Sequence, residues 1–405
     1  MSYLLKGGLL RSKPNDQQPD RTLANRNLDY PSFIGIASLL SLPLSIFYVV
    51  PNFFTVLNGP ESIISYAIAA FVILISAYHF KELFRLFPKS CVLYEATYLV
   101  YGEFVAHLTG WMYIFDSVIY TVIIAKLWST YADSFFRQLL RPPFLIDYQG
   151  IINFPYIEKS YDCLSLAAVV VSSLASLCEY QVFGTVSISV AIVMLFTTIS
   201  TSLVGYAAHN LQHLSLEELK LNNEVLSCAS YFYCSFFGIE TLSMLYNGTP
   251  AGRKRILKLP MITCCLTIII VTIVLMVYLY FVTVGAVCGL SGAVIIAAIP
   301  SAAMLAALTE DRLVPLYSSA TKKVVKVQIA LVMLLSGTIL VSVKESLLFA
   351  IIRLNSNVRL LILACLVVST RLDGDIVEFA YTTEYSKLNR GNLNSQFLSS
   401  DALTV

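Results

Sequence analysis

The sequence predicts an all-α integral membrane protein with about ten transmembrane helices in two five-helix halves. Three observations predict this fold. The chain of 405 residues is 57% hydrophobic and only 13% charged, whereas soluble domains usually carry about twice that charged share. Ten apolar segments have roughly the length of a membrane span. The first and the sixth of these segments are interrupted at corresponding positions of the two halves.

The ten apolar segments define the expected membrane domain. A helix that crosses the roughly 30 Å hydrocarbon core needs about 20 apolar residues, because only internal backbone hydrogen bonds are satisfied there. The segments cover residues 31–51, 61–80, 103–130, 163–179, 183–207, 225–246, 260–283, 286–308, 325–343 and 347–370. From residue 259 to residue 309, across the seventh and eighth segments, 51 residues in a row carry no charge, and we expect the turn between these two spans at Gly285, Gly289 or Gly292.

Basic residues predict the orientation of these spans. Residues 1–30 carry five Lys and Arg but no signal-peptide pattern, so we expect a cytosolic amino terminus. The even-numbered turns then face the cytosol, and they contain Lys81, Arg85, Lys89, Arg253, Lys254, Arg255, Lys258, Arg312, Lys322, Lys323 and Lys326. The opposite side contains Arg137, Arg141, Lys159, Lys220 and Lys344. This positive-inside pattern predicts that both termini are cytosolic.

The expected domain boundaries follow from the same map. Residues 1–30 form a cytosolic segment, residues 31–370 the transmembrane domain, and residues 371–405 a polar, disordered cytosolic tail. Within the membrane domain, the two halves cover about 31–207 and 225–370.

Soluble enzyme and nucleic-acid-binding classes are disfavoured. The formal net charge of +2 gives no basic surface for nucleic acid. The nine cysteines lie in or beside apolar runs without CxxC spacing, so we interpret them as small apolar residues. The sequence has no HExxH, GxSxG or P-loop motif. We expect no enzymatic activity, no cofactor and no metal.

Ionisable residues inside the spans are the first candidates for function, because burying charge in the membrane is costly. They are His107, Asp116, Lys126, Glu240, Arg353 and Arg359. Asp116 and Lys126 lie about 15 Å apart along one helix and cannot touch. Asp116 could attract a cationic substrate, or it could pair with Arg353 or Arg359 in an internal salt bridge.

The first and sixth spans are the second candidates. Pro43 removes a backbone hydrogen bond, which predicts a break near Ser41 to Pro43. In the sixth span, Gly238 follows an aromatic run and precedes Glu240. Unwinding there would free carbonyl groups to bind an ammonium group under an aromatic ring. The alternative is an ordinary close-packed helix crossing. The matching positions of the two breaks indicate a secondary transporter.

Several motifs in collinear order resemble those of the cationic amino-acid transporters. They are NGPESI at 58–63, YHFKEL at 78–83, FPKS at 87–90, GE at 102–103, TGW at 109–111, KLWS at 126–129, the residues Phe236, Gly238 and Glu240, GAVCGLS at 285–291 and AALTEDRL at 306–313. By these motifs, residues 28–372 are similar to a divergent member of that family, within the amino acid-polyamine-organocation (APC) superfamily.

The resemblance implies an APC, or LeuT-like, fold of two inverted five-helix repeats. It implies a permease that moves arginine, lysine and ornithine by alternating access, with the substrate held at the unwound centres of the first and sixth spans. The chain departs from the family in the first span, where residues 37–43 read ASLLSLP instead of a glycine-rich segment. Side chains there would crowd a substrate carboxylate, and Pro43 lacks an amide hydrogen.

Two hypotheses follow. The first is an amino-acid permease whose substrate contacts Ser38, Ser41, Leu42, Asp116, Ser235, Phe236, Gly238 and Glu240. In it, Asp116 and Glu240 attract a cation, Ser38 and Ser41 replace glycine amides as donors, and Phe236 forms a gate. The second is a homologue that no longer transports and acts as a sensor, scaffold or partner-binding protein.

The expected partners are an amino-acid substrate and the lipid bilayer. In the tail, YSKL at 385–388 fits a tyrosine-based sorting signal, and LTV at 403–405 could add to a PDZ groove. We expect the plasma membrane as the location, with the endolysosomal membrane as the alternative.

Overall fold

The computed structural model describes residues 29–52, 61–86, 91–140, 142–147, 155–178, 180–208, 223–236, 238–242, 258–276, 283–311, 313 and 322–372. Their helices are α1 Tyr30–Leu44, α2 Glu61–Leu86, α3 Val92–Tyr101, α4 Glu103–Phe135, α5 Cys163–Ala175, α6 Tyr180–Ala208, α7 Asn223–Ser235, α8 Gly238–Thr241, α9 Leu259–Met276, α10 Thr283–Ala297, α11 Ile299–Glu310, α12 Lys322–Val341 and α13 Glu345–Leu372. A short antiparallel pair, β1 Leu145–Asp147 and β2 Ser160–Asp162, lies between α4 and α5.

Six helices of the described residues are long and apolar enough to cross a membrane. They cover Tyr30–Asn52, Ser62–Leu86, Glu103–Phe135, Phe183–Ser200, Ala286–Thr309 and Glu345–Ser369. Shorter apolar helices cover Cys163–Ala175, Ile262–Val271 and Lys326–Val341. Large apolar side chains such as Phe71, Phe196 and Ile339 point outward on these helices, as expected where lipid replaces water. The helical membrane fold predicted from composition is therefore supported.

The sixth expected span is not one continuous helix. Helix α7 ends at Ser235, Phe236 lies in a turn, and the four-residue helix α8 begins at Gly238. The amide of Phe236 donates to the carbonyl of Tyr233, which tightens the last turn. An interruption therefore lies at the position that the glycine and the aromatic run suggested.

The first span differs from its expected break. The chain remains helical through Pro43, and residues Ser45–Val49 form a π-helical turn. Pro43 lacks the amide that would bond to the Leu39 carbonyl, but the helix continues through it. The span is therefore not unwound at Pro43, and the π turn begins two residues after it.

The turn expected at Gly285, Gly289 or Gly292 is wrong, because all three residues lie inside α10. Two of these glycines instead permit close packing of α10 against α6. A Cβ atom at Gly292 would lie 2.5 Å from Val190 Cγ1, and one at Gly289 would overlap the Met194 side chain. The connection between α9 and α10 lies at residues 277–282, outside the described residues.

Helix α4 lies at the centre of the fold. It packs against α3, α5, α10, α11, α12 and α13, and every residue from Asp116 to Leu127 is buried. Gly102, with φ 87°, separates α3 from α4 in a conformation that favours glycine. A helix covered on all sides can carry polar groups only where neighbouring helices supply partners.

The expected cytosolic segment and tail lie almost entirely outside the described residues, as do both tail motifs. Those expectations stay predictions.

Candidate functional site

The centre of the candidate site is the guanidinium group of Arg359, on α13. Its Nη1 donates to Glu240 Oε2 at 2.6 Å, and its Nη2 lies 2.8 Å from Asp116 Oδ2. The second contact is an ion pair whose angle does not meet that of a hydrogen bond. The Arg359 side chain is only 3% exposed and that of Asp116 is fully buried. Three charged side chains from α4, α8 and α13 therefore meet in the interior.

Neighbouring polar and aromatic groups complete this cluster. Asn355 Nδ2 donates to Asp116 Oδ1 at 2.7 Å, and Arg359 Nη2 donates to Ser356 Oγ at 3.1 Å. The Tyr113 ring lies beside the guanidinium, with its centroid 4.9 Å from Arg359 Cζ. Asn355 and Ser356 precede Arg359 by four and three residues, so α13 presents both on the side of Arg359. Tyr113 and Asp116 are likewise one turn apart on α4.

The charges of the cluster do not cancel. Asp116 and Glu240 are formally two negative charges against one positive charge on Arg359, so the cluster carries one formal negative charge. Glu240 is 15% exposed, which leaves part of its carboxylate accessible to water. A buried group with surplus negative charge is a place where a further cation or proton would be stabilised.

A small cavity adjoins the cluster. It has a volume of about 10 Å³, which is room for about one water molecule. Its lining residues are Ile73, Ser76, Phe80, Tyr233, Cys234, Phe236, Glu240, Ser356 and Arg359. The cavity lies at the interruption between α7 and α8, but it is too small for an amino acid. This conformation is therefore closed at the candidate site.

Phe236, which lines this cavity, belongs to an aromatic group with Tyr66 and Phe232. Its ring stacks on Tyr66, with centroids 6.3 Å apart and planes 23° apart, and Tyr66 also meets Phe232 edge to face at 5.3 Å. Tyr66 is held in turn by a hydrogen bond of 3.3 Å from its hydroxyl to the carbonyl of Ile268 on α9. Phe236 is thus packed, through Tyr66, against α2 and α9.

Hydroxyl groups connect α1 with α7 and α4. Ser45 Oγ lies 2.7 Å from Ser235 Oγ and 2.9 Å from the carbonyl oxygen of Ser41. From α4, the Tyr120 hydroxyl donates to the carbonyl of Leu40 at 2.7 Å, and the Tyr131 hydroxyl donates to that of Phe47 at 3.0 Å. One carbonyl group of α1, at Leu40, and one of the π turn, at Phe47, therefore accept hydrogen bonds from tyrosines of α4.

The structure brings only some of the expected site residues together. Asp116 and Glu240 meet at Arg359, and Phe236 and Glu240 line the cavity. Ser41 and Ser235 are linked through Ser45, and Gly238 begins α8. Ser38, Ser41 and Leu42 are buried in α1 but do not belong to the lining of this cavity.

The remaining ionisable residues of the spans lie elsewhere. His107 accepts a hydrogen bond of 3.1 Å from Trp111 Nε1 at an exposed position of α4. Arg353 stacks over Tyr231, 4.6 Å from its centroid. Lys126 is 1% exposed, and its Nζ donates to Glu158 Oε1 and to the carbonyl of Val343, both at 2.6 Å.

Sequence reasoning missed Tyr113, Asn355, Ser356 and Ser45. A polar run on the apolar helix α13 was the available signal for Asn355 and Ser356, because they precede Arg359 at helical spacing. Tyr113 and Ser45 have no such signal, since their roles depend on which helices become neighbours.

No family model matches the chain. Over 190 residues it is 24% identical to Cationic amino acid transporter 4 of Mus musculus, and the aligned region covers 46% of this chain and 30% of that protein. Over 328 residues it is 22% identical to Cationic amino acid transporter 3, mitochondrial, of Arabidopsis thaliana, and the aligned region covers 72% of this chain and 53% of that protein. Over 141 residues it is 26% identical to Branched-chain amino acid permease BcaP of Bacillus subtilis, and the aligned region covers 33% of this chain and 30% of that protein.

The chain spans about a third to a half of the length of these curated relatives. Their names describe transporters and a permease rather than enzymes. The apolar helices support an integral membrane protein, and the proteins to which the chain is similar are named as amino-acid transporters and an amino-acid permease.

Proposed function

We propose that the chain is an amino-acid transporter that works by alternating access. The observation that carries this proposal is the meeting of Asp116, Glu240 and Arg359 from three helices beside the interruption between α7 and α8. Ionisable groups inside a membrane domain are costly to bury and mark functional positions by default. A charged centre shared by three helices changes its contacts whenever those helices move against one another.

The architecture that we propose has ten spans in two inverted halves, residues 31–207 and 225–370. Helix α1 with its π turn and the pair α7–α8 are then the corresponding interrupted helices, and such pairs enclose the substrate in transporters built from repeats. The hydroxyl contact between Ser45 and Ser235 supports this proposal, because it joins the two irregular segments directly.

For the substrate, we propose an amino acid, with cationic ones preferred. Its ammonium group would bind the carbonyl groups at the end of α7 under the ring of Phe236. Its carboxylate would bind near Ser38, Ser41 and Leu42. The surplus negative charge of the Asp116 and Glu240 pair favours a cationic side chain. The names of two of the relatives point the same way.

Uptake into proteoliposomes tests this proposal. Purified protein should take up labelled arginine above empty liposomes, and unlabelled arginine should compete better than leucine. Phe236→Ala should reduce uptake, because the ring that covers the site is lost. Leu226→Ala, which truncates an exposed side chain of α7, the helix that precedes Phe236, is the matched control.

Absence of uptake for every amino acid in a panel would contradict the proposed function. It would instead favour the hypothesis of a sensor or scaffold, which the relatives' names do not favour. The plasma membrane location and the tail-binding partners stay predictions.

A further inference from the structure

Arg359 occupies the position in which a cationic group of a substrate would be expected to bind. We infer that Arg359 is a tethered cation that fills this site from within and sets its charge selectivity. The inference rests on the proposed function for its consequences in transport, but the occupancy itself can be tested by binding.

The groups around Arg359 are those that would recognise a free guanidinium ion. Glu240 and Asp116 approach its two terminal nitrogens at 2.6 and 2.8 Å, and the Tyr113 ring lies beside its carbon. Carboxylates and aromatic rings are common partners of a guanidinium group in proteins. The chain therefore supplies both the binding site and its occupant.

The space beside Arg359 does not admit a second cation. The adjoining cavity of about 10 Å³ is lined by Arg359 and Glu240 themselves and has room for about one water. A lysine or arginine side chain is much larger. A cationic side chain can bind both carboxylates from this cavity only if Arg359 moves away from at least one of them.

The contacts of the two carboxylates permit such a movement. Asp116 keeps a second partner, because Asn355 donates to its other oxygen at 2.7 Å. Glu240 lies on the four-residue helix α8 and is 15% exposed, so water can reach it. Release of Arg359 therefore leaves neither carboxylate wholly without partners, which lowers the cost of the exchange.

The charge balance predicts how selectivity changes when this tethered cation is removed. With Arg359 in place the cluster carries one formal negative charge, and without it two. A cationic substrate has to compete with Arg359, whereas a neutral amino acid has no such competitor. Removing Arg359 should therefore strengthen the binding of cationic substrates and leave that of neutral ones unchanged.

Transport by Arg359→Gln tests this consequence. The arginine concentration at half-maximal uptake should fall about tenfold if about a tenth of the wild-type molecules have Arg359 displaced. The value for leucine should stay the same. Arg353→Gln is the matched control, because Arg353 lies on the same helix but stacks on Tyr231 outside the cluster, and it should alter neither value.

A binding experiment tests the occupancy without transport. Methylguanidinium should raise the thermal unfolding midpoint of detergent-purified Arg359→Gln, and should raise neither that of the wild type nor that of Arg353→Gln. Sodium chloride at equal ionic strength controls for general salt effects. If Arg359→Gln does not fold, the double variant Arg359→Gln with Glu240→Gln restores the formal charge of the wild type and should still show the shift.

The outcomes separate the two proposals. Binding of methylguanidinium to the Arg359 variants without uptake of any amino acid would support the tethered cation and overturn the proposed function. An equal shift in wild type and variants, or no shift in either variant, would overturn the tethered cation even where arginine uptake is intact.

Discussion

Two buried cations contact the central helix α4 in different ways. Arg359 reaches it from α13 and shares its charge between Asp116 and Glu240. Lys126 lies on α4 itself and contacts one carboxylate, Glu158, and the carbonyl of Val343. Their burial is nearly the same, with side chains 3% and 1% exposed.

The partners, rather than the burial, separate the two centres. The Lys126 pair is balanced one to one, and it fastens the segment before β2 to α4 and to the end of α12. A backbone bridge between Ile157 and Val343 and a hydrogen bond of 2.9 Å from the Glu158 amide to the Ser342 carbonyl hold the same segment. The Arg359 cluster has surplus negative charge and lies beside a cavity and a helix interruption. The first arrangement fixes a loop, and the second can change its contacts.

The largest expected effect comes from Arg359→Met. It leaves two carboxylates close together without their cation, and breaking a buried pair from one side costs about 3–5 kcal/mol. The unfolding midpoint in detergent should fall accordingly. Arg353→Met is the control, because it removes a half-buried arginine of the same helix. Equal losses in the two variants would show that the cluster has no special place in stability.

A smaller loss is expected for Lys126→Met. Glu158 is 25% exposed, so water can solvate its carboxylate once Lys126 is gone, and a cost of about 1–3 kcal/mol is expected. Lys126 is about 15 Å along the helix from Asp116, so the ratio of arginine to leucine uptake should not change. Lys344→Met, at an exposed position beside Val343, is the control. A changed uptake ratio in Lys126→Met would remove the distinction between the two centres.

The smallest effect is expected for Ser45→Ala. It removes the hydroxyl that lies between Ser41 and Ser235, and interhelical side-chain hydrogen bonds in membranes average about 0.6 kcal/mol. If the Ser45 hydrogen bond joins the two parts of the substrate site, uptake should fall by more than this small loss of stability would cause. Ser230→Ala is the control, because its hydroxyl donates within α7. Equal uptake by the two variants would separate Ser45 from the transport path.

Much of the fold could be predicted from the sequence, because the membrane imposes simple constraints on length and polarity. Every expected apolar segment contains a helix in the described residues. The predictions failed where a local signal has two meanings. Gly289 and Gly292 suggested a turn, but they provide space for α6. Pro43 suggested unwinding, but the helix continues through it to Leu44.

The candidate site was predictable only in part. Asp116, Phe236 and Glu240 could be identified as candidates, because a carboxylate or an interrupted aromatic run is unusual inside a span. Pairing with Arg359 remained one alternative of several, since Arg353 was an equal candidate by sequence. Tyr113 and Asn355 could not be selected, because nothing local indicates which side of α4 meets which side of α13.

By itself, the sequence determined that this is a helical membrane protein, which of its segments are apolar and which polar residues are unusual in them. Those properties follow from the cost of exposing polar groups to lipid, which acts on each segment separately. Only the tertiary structure decided that the carboxylates of Asp116 and Glu240 share one arginine. That outcome depends on the packing of three helices whose residues are more than a hundred positions apart, and the energies of charged groups change steeply with a few ångströms of separation.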